Sequence, residues 1–463
     1  MRRSIFTRAG SRPTLLGLLI GGATSFVVAA VSFGATAVAQ PEQARPQALL
    51  EATHLPPLLV VPGEQVKLAF DVHCAQAGVE NPEQACELGG SLFVRGASAG
   101  PFRQLALAED DAAGLRRVGA AVPEPVAQDP KGFEYYAEIE GNGSEQVRVP
   151  AGVGATYHAY VVRSAVDVEL APRRFGSIRR GFRVVSAPWG DGSQQVGLES
   201  GPNVDPIGAS SFDVDASGAV VLLDEAHRRA LRFTGTEPAP DVIPLSIEGR
   251  LADLTVDENG SLDVLETVAP PGRGPLVRRF DRGGHPLGAV ETPEQSPSQI
   301  RIGPNGPVVL EHPSHLWVPV AANGLSLPPE EQLRHGLAGR PLRSGAEVVV
   351  SHTGYELRLA LLSRGRIQTS WRIRSPEQLG EVQLAEPLGD RLVVAVRVYD
   401  ERSDEFRVLV LDERGLVQQF AVESADWAET APLSRFRLIG GSLYQLGSNP
   451  SGAFVDRYDL EVR

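Results

Sequence analysis

Between residues 66 and 162 apolar and polar positions alternate with period two. Val66-Lys67-Leu68-Ala69-Phe70-Asp71-Val72, Ser91-Leu92-Phe93-Val94-Arg95, Phe133-Glu134-Tyr135-Tyr136-Ala137-Glu138-Ile139 and Tyr157-His158-Ala159-Tyr160-Val161-Val162 all carry this pattern. Alternation with β-branched and aromatic residues on one side marks half-buried strands. Pro-Gly, Gly-Gly and Asn-Gly steps separate the runs, as tight turns require. Several such strands within about a hundred residues predict a β-sandwich, placed at residues 56–168.

From residue 181 onward the pattern repeats. Phe212-Asp213-Val214-Asp215-Ala216-Ser217-Gly218-Ala219-Val220-Val221-Leu222-Leu223-Asp224 recurs as Leu254-Thr255-Val256-Asp257-Glu258-Asn259-Gly260-Ser261-Leu262-Asp263-Val264-Leu265-Glu266. Ile300-Arg301-Ile302-Gly303-Pro304-Asn305-Gly306 is a third copy. Turn glycines follow at 345, 389 and 441, so the spacings run 42, 46, 39, 44 and 52 residues. That period suits four-stranded propeller blades. Each unit holds a second hairpin, at Gly235, Gly283-Gly284, Asn323-Gly324, Gly365 and Gly415. The sixth unit ends before its outer strand; Phe182-Arg183-Val184-Val185 is predicted to supply it. Closing the ring this way removes exposed strand edges.

Val214-Asp215-x-x-Gly218-x-Val220 followed by Leu223-Asp224 resembles NHL-repeat propellers, most clearly over the first two units. The turn spacings count six blades, with seven as the alternative, and the resemblance implies a ring with a central channel and a ligand-facing mouth. Its members include binding modules and metal-dependent lactonases. Pro62-Gly63-Glu64 through Phe133-Glu134-Tyr135-Tyr136 is similar to the immunoglobulin-like modules of bacterial secreted proteins, which implies a binding or spacer role. The fold class expected is therefore all-β: an N-terminal immunoglobulin-like β-sandwich followed by a six-bladed β-propeller at 181–463.

Residues 1–39 read as an export signal. Arg2, Arg3, Arg8 and Arg12 precede an apolar run at 15–31, and Ala37-Val38-Ala39 offers a small-residue cleavage site. The alternative is an uncleaved anchor, the one route by which this chain would meet a membrane. Residues 40–55, rich in Gln, Pro and Ala, read as a flexible tether, and 169–180, with Arg173, Arg174, Arg179 and Arg180, as a solvated linker. In an exported chain the two cysteines, Cys74 and Cys86, are expected to pair as a disulfide. The expected location is extracytoplasmic.

The net charge of -13 and pI near 5.3 argue against nucleic acid and anionic lipid. Asp213-x-Asp215-x-Ser217-Gly218 resembles a calcium loop, but its strand flanks and the single Asp257 in the second copy assign it to turn chemistry. His312-x-x-His315, with Pro313 between, reads as a loop pair and not a zinc site. Glu225, Glu266, His312, Asp400 and Asn449 follow second strands and are the candidates for one channel mouth. No nucleophile elbow or phosphate-binding loop occurs. The sequence therefore points to a non-enzymatic binding or scaffold protein with a protein or glycan partner and no cofactor. The alternative is a lactonase-like metal-dependent hydrolase with its site at the channel mouth.

Overall fold

The computed structural model describes residues 49–460 except 76–86, 99, 110–115, 142–144, 202–203, 236–238, 270–272, 294–296, 312–314, 323–324, 402 and 429–434. The signal at 1–39 lies outside the described residues, as do Cys86 and His312. Among the described residues no helix is long and apolar enough to cross a membrane. The chain is nearly all β.

Two facing sheets form the N-terminal part. One orders Leu49–Thr53, Lys67–Ala75, Arg117–Ala121 and Ala108–Glu109; the other orders Leu59–Val60, Tyr157–Val161, Phe133–Gly141, Leu88–Gly96 and Arg103–Ala106. The alternation read from the sequence sends Leu68, Phe70, Leu92, Val94, Tyr135 and Tyr157 into one shared core. The tether is shorter than expected. Leu49–Thr53 is a strand antiparallel to Lys67–Ala75, because Ala52 and His54 keep the inward parity and are buried.

The rest of the chain is a succession of antiparallel sheets arranged as a β-propeller. Ser211–Val214, Val220–Asp224, Arg229–Phe233 and Asp241–Pro244 pair in order, as do Arg250–Val256, Leu262–Val268, Leu276–Phe280 and Pro286–Glu291. Gln299–Gly303, Gly306–Glu311 and Leu316–Pro319 make a three-stranded sheet. Arg340–Pro341, Ala346–Thr353, Glu356–Ser363 and Arg366–Arg374 follow, then Gln378–Leu388, Arg391–Tyr399, Asp404–Asp412 and Gly415–Glu423. The last sheet, Phe436–Ile439, Ser442–Asn449 and Gly452–Asp459, takes Phe182–Pro188 as its outer strand.

That outer strand closes the ring. Arg183 donates to Asp456 at 2.5 and 3.1 Å and lies over the Phe454 ring at 3.5 Å. Val185 and Ala187 share one core cluster with Phe212 of the next sheet and Leu446 and Val455 of their own. Other clusters join the sheets at 211–244 and 250–291, and those at 378–423 and 436–459. All six turn glycines read from the repeat adopt positive φ, between 64° and 123°, the region where a side chain would be strained.

The boundary between the two parts differs from the expected one. Val166–Glu169 pairs in parallel with Trp371, Arg372, Ile373 and Arg374, adding a strand to the outside of a propeller sheet. Val168 is the reason: it is apolar, inward-facing and buried against Trp371 and Leu411 in one cluster. Within 169–180, Arg173 pairs with the buried Glu405 and its amide donates to Glu377, so this segment is docked and not a solvated linker. The sandwich core also continues into Ile300, Val309, Leu316 and Val318 of the three-stranded sheet, which couples the two parts through apolar contact.

Candidate functional site

The innermost strands run side by side around the channel: 211–214 beside 250–256, that beside 299–303, and 436–439 beside 211–214. Each sends the residue after a buried apolar position toward the centre. Phe212, Leu254, Ile300 and Phe436 are core, and Asp213, Thr255, Arg301 and Arg437 follow them, all buried.

These residues fill one half of the channel with a closed network. Asp253, fully buried, accepts Ser211 Oγ at 2.5 Å, the Ile300 amide at 2.8 Å and Arg301 Nη1 at 3.0 Å. Asp213 accepts the Val256 amide at 2.8 Å, Thr255 Oγ1 at 3.0 Å and Arg437 Nε at 3.1 Å. Burial pushes the Asp253 carboxyl up, yet Arg301, Arg437, the Ser211 hydroxyl and the Ile300 amide together hold it below its ordinary value. Burial, with Arg437 nearby, pulls Arg301 down to about 10. The turn reading of Asp213-x-Asp215 is corrected in its first half. Asp215 Oδ1 does accept the Ser217 and Ala219 amides, at 2.9 and 3.0 Å, but Asp213 stitches inner strands together.

The other half of the channel is open. A cavity of about 500 Å³ lies there, capped by Leu55, Pro56, Pro57 and Leu58 where the sandwich begins. Leu310, Trp317, Val348, Val350 and Leu384 make its apolar wall. Its polar groups fall into two sets. Arg340 is spent on Glu386 at 3.0 Å and the Ala385 carbonyl at 2.8 Å, and Arg301 faces Asp253. Among the described residues the side chains of Glu381 and Gln383 are bonded only to each other, and His352 lies beside them. Gln383 Nε2 donates to Glu381 at 2.7 Å, and Gln383 Oε1 is buried with no hydrogen-bond donor among the described residues. Glu381 opens onto the cavity while protein surrounds it, and that desolvation raises its pKa. Desolvation lowers the pKa of His352.

Of the residues singled out from sequence, His312 lies outside the described residues, and Glu225, Glu266, Asp400 and Asn449 sit at the ends of second strands without converging. Glu225 accepts the Leu251 and Ala252 amides at 2.9 and 3.0 Å. Glu266, fully buried, accepts the Glu248 and Gly249 amides and Arg278. Asp400 accepts the Ser403 amide at 2.8 Å within its own turn. Asn449 Oδ1 accepts from Ser451, and its carbonyl accepts Trp189 Nε1 at 3.0 Å. Three of these carboxylates thus serve the backbone amides of strand ends and turns. Cys74 is buried in its strand. Among the described residues no three His, Cys, Asp or Glu side chains come together to hold a metal ion.

No family model and no curated protein matches this sequence. Solved structures similar to it include virginiamycin B lyase from Staphylococcus aureus, at 14% identity and a TM-score of 0.31, covering 56% of this chain and 87% of that one. The structure described as YCF48 bound to D1 peptide is similar at 13% identity and a TM-score of 0.34, covering 62% and 94%. The C-terminal WD40 domain of Sif2 is similar at 9% identity and a TM-score of 0.28, covering 56% and 97%. At this level of likeness the architecture rests on the chain's own sheet order, and no activity is carried over.

Proposed function

We propose that this chain is an exported, non-enzymatic binding protein whose ligand site is the open half of the propeller channel. In this reading the propeller has six blades, the sandwich is immunoglobulin-like, and Cys74 and Cys86 form a disulfide. The repeat with its six turn glycines supports the blade count, the two facing sheets support the sandwich, and the N-terminal arginines with the apolar run support export. One observation carries the binding reading: among the described residues Gln383 Oε1, buried beside the cavity, has no donor, and the exposed Glu381 has no cation within ion-pairing distance, Arg435 and Arg397 acting on it only from further away. A buried acceptor left unmatched, as Gln383 Oε1 is, costs about 1–3 kcal/mol unless a ligand or water supplies the donor. The group that fits has an ammonium head and an apolar stem, as a lysine side chain of a protein partner would present. The hydrolase reading gains no observation from the described residues.

n-Butylammonium is the probe for this site. Titration calorimetry is expected to show it binding while n-butanol does not, and to show Glu381→Gln abolishing the binding. The same variant is expected to melt no lower than the parent at pH 7. The raised pKa means that ionising Glu381 costs the native state stability, so a neutral amide in its place removes that cost rather than adding one. Equal binding of the ammonium ion by parent and variant would refute the site.

A further inference from the structure

A second groove, of about 1040 Å³, runs between the outer side of the sandwich and the hairpin at 363–366. Lys131, Arg163, Arg364 and Arg366 line it, all exposed. Most arginines among the described residues are held by a carboxylate, including neighbours such as Arg358, Arg372 and Arg374. Among the described residues no carboxylate lies within ion-pairing distance of the four cations of the groove, though Asp129 acts on Lys131 from further away. Of the two acids that line the groove with them, Glu134 is engaged by Arg95 through Nε at 2.8 Å and Nη2 at 2.5 Å, and Glu413 is exposed. In a chain of net charge -13, four cations against the single unpaired lining acid Glu413 are a local reversal of sign.

The rest of the groove narrows the choice of anion. His158 and Tyr160 present adjacent rings, 4.3 Å between centroids, and Gln368 and Thr369 add amide and hydroxyl groups. A ring face beside guanidinium forks suits a sugar ring that carries a carboxylate or sulfate, since the ring stacks while the acid is gripped in bidentate fashion. An acidic peptide fits less well. Strand Tyr157–Val161, which forms one wall, is already paired on both edges, by Phe133–Gly141 and by Leu59–Val60, and the outermost strand Val166–Glu169 reaches the groove only at Val166, so an extended peptide finds little edge to join there. From the geometry we infer that this groove is a binding site for an anionic glycan, independent of the channel cavity.

The test uses the full mature chain and four probes: oligogalacturonate, dextran sulfate, neutral dextran and poly-glutamate. Oligogalacturonate or dextran sulfate is expected to bind, more weakly as salt rises, and neutral dextran is not. The pair of anions separates carboxylate from sulfate as the acidic group. Arg364→Ser with Arg366→Ser is expected to weaken binding about tenfold or more without changing the melting temperature, because neither side chain is paired in the fold. Tyr160→Leu is expected to weaken glycan binding while leaving the weak, charge-driven retention of poly-glutamate unchanged. Poly-glutamate binding as tightly as the glycans, or glycan affinity indifferent to the double variant, would overturn the assignment.

Discussion

Asp253→Ala is expected to remove about 4 kcal/mol of stability, the cost of stripping one partner from a buried ion network. The side chain is fully buried and accepts from Ser211, the Leu254 and Ile300 amides and Arg301. Without it Arg301 keeps its charge in a site that already pulls its pKa down to about 10, and the Ile300 amide loses its acceptor. Arg437 retains Asp213 as a neighbour at 3.1 Å, so the loss centres on Arg301. Asp253→Asn, which keeps an acceptor but no charge, is expected to fall between the parent and the alanine variant. Adding Arg301→Met to Asp253→Ala is expected to recover part of the loss, since it takes away the orphaned cation. Urea unfolding of the four proteins measures this. A loss below about 1 kcal/mol in the alanine variant would mean that water enters and replaces the carboxylate, and that the network is not what joins the inner strands.

The same network explains which parts of the molecule are legible in the sequence. The repeat is visible because each turn needs a glycine and an amide-accepting side chain at fixed places. Asp257 Oδ1 receives the Asn259 and Ser261 amides, and Asp281 Oδ1 the Gly283 and His285 amides, as Asp215 does in the first copy. Ring closure is visible because the last unit lacks a strand that residues 182–188 can supply. Convergence at the channel is harder to see. Asp213 and Arg437 are 224 positions apart, and only closure of the ring brings them together. A usable signal exists all the same: a polar residue recurs directly after the core residue of the inner strand, at 213, 255, 301 and 437. The mouth residues misled for the opposite reason. Glu225 and Glu266 stand where a ligand-facing loop is expected, but a strand end leaves amides without partners, and the nearest carboxylate satisfies them. The boundary at 166–169 was hidden because a two-sided polar and apolar strand has the same parity whether it joins the sandwich or the propeller sheet.

His54 gives the second large effect, and acid is its trigger. Its ring is buried among Phe70, Tyr135 and Tyr157, just before the residues that cap the channel cavity. The Ala69 carbonyl, 2.7 Å from Nδ1, can only accept, so Nδ1 carries the proton and Nε2 accepts the Tyr135 hydroxyl at 2.8 Å. A second proton, on Nε2, would turn the Tyr135 hydroxyl into an acceptor and place a full charge on a buried ring. Burial accordingly pushes the pKa down to about 4; the Ala69 carbonyl and Asp71 act upward and His315, across the junction, acts downward. A base whose folded pKa lies below its unfolded value contributes full stability above about pH 6.5 and loses it as pH falls toward 4, because the unfolded chain takes the proton first. At roughly 1.4 kcal/mol per unit the expected loss from this one residue is about 3 kcal/mol. His54→Gln keeps a donor and an acceptor but does not titrate, so subtracting its stability profile from the parent's isolates the histidine from the other acids. The difference is expected to shrink steadily between pH 6.5 and 4. Parallel profiles would show that the ring reaches solvent, and with it that the sandwich does not seal the capped side of the channel.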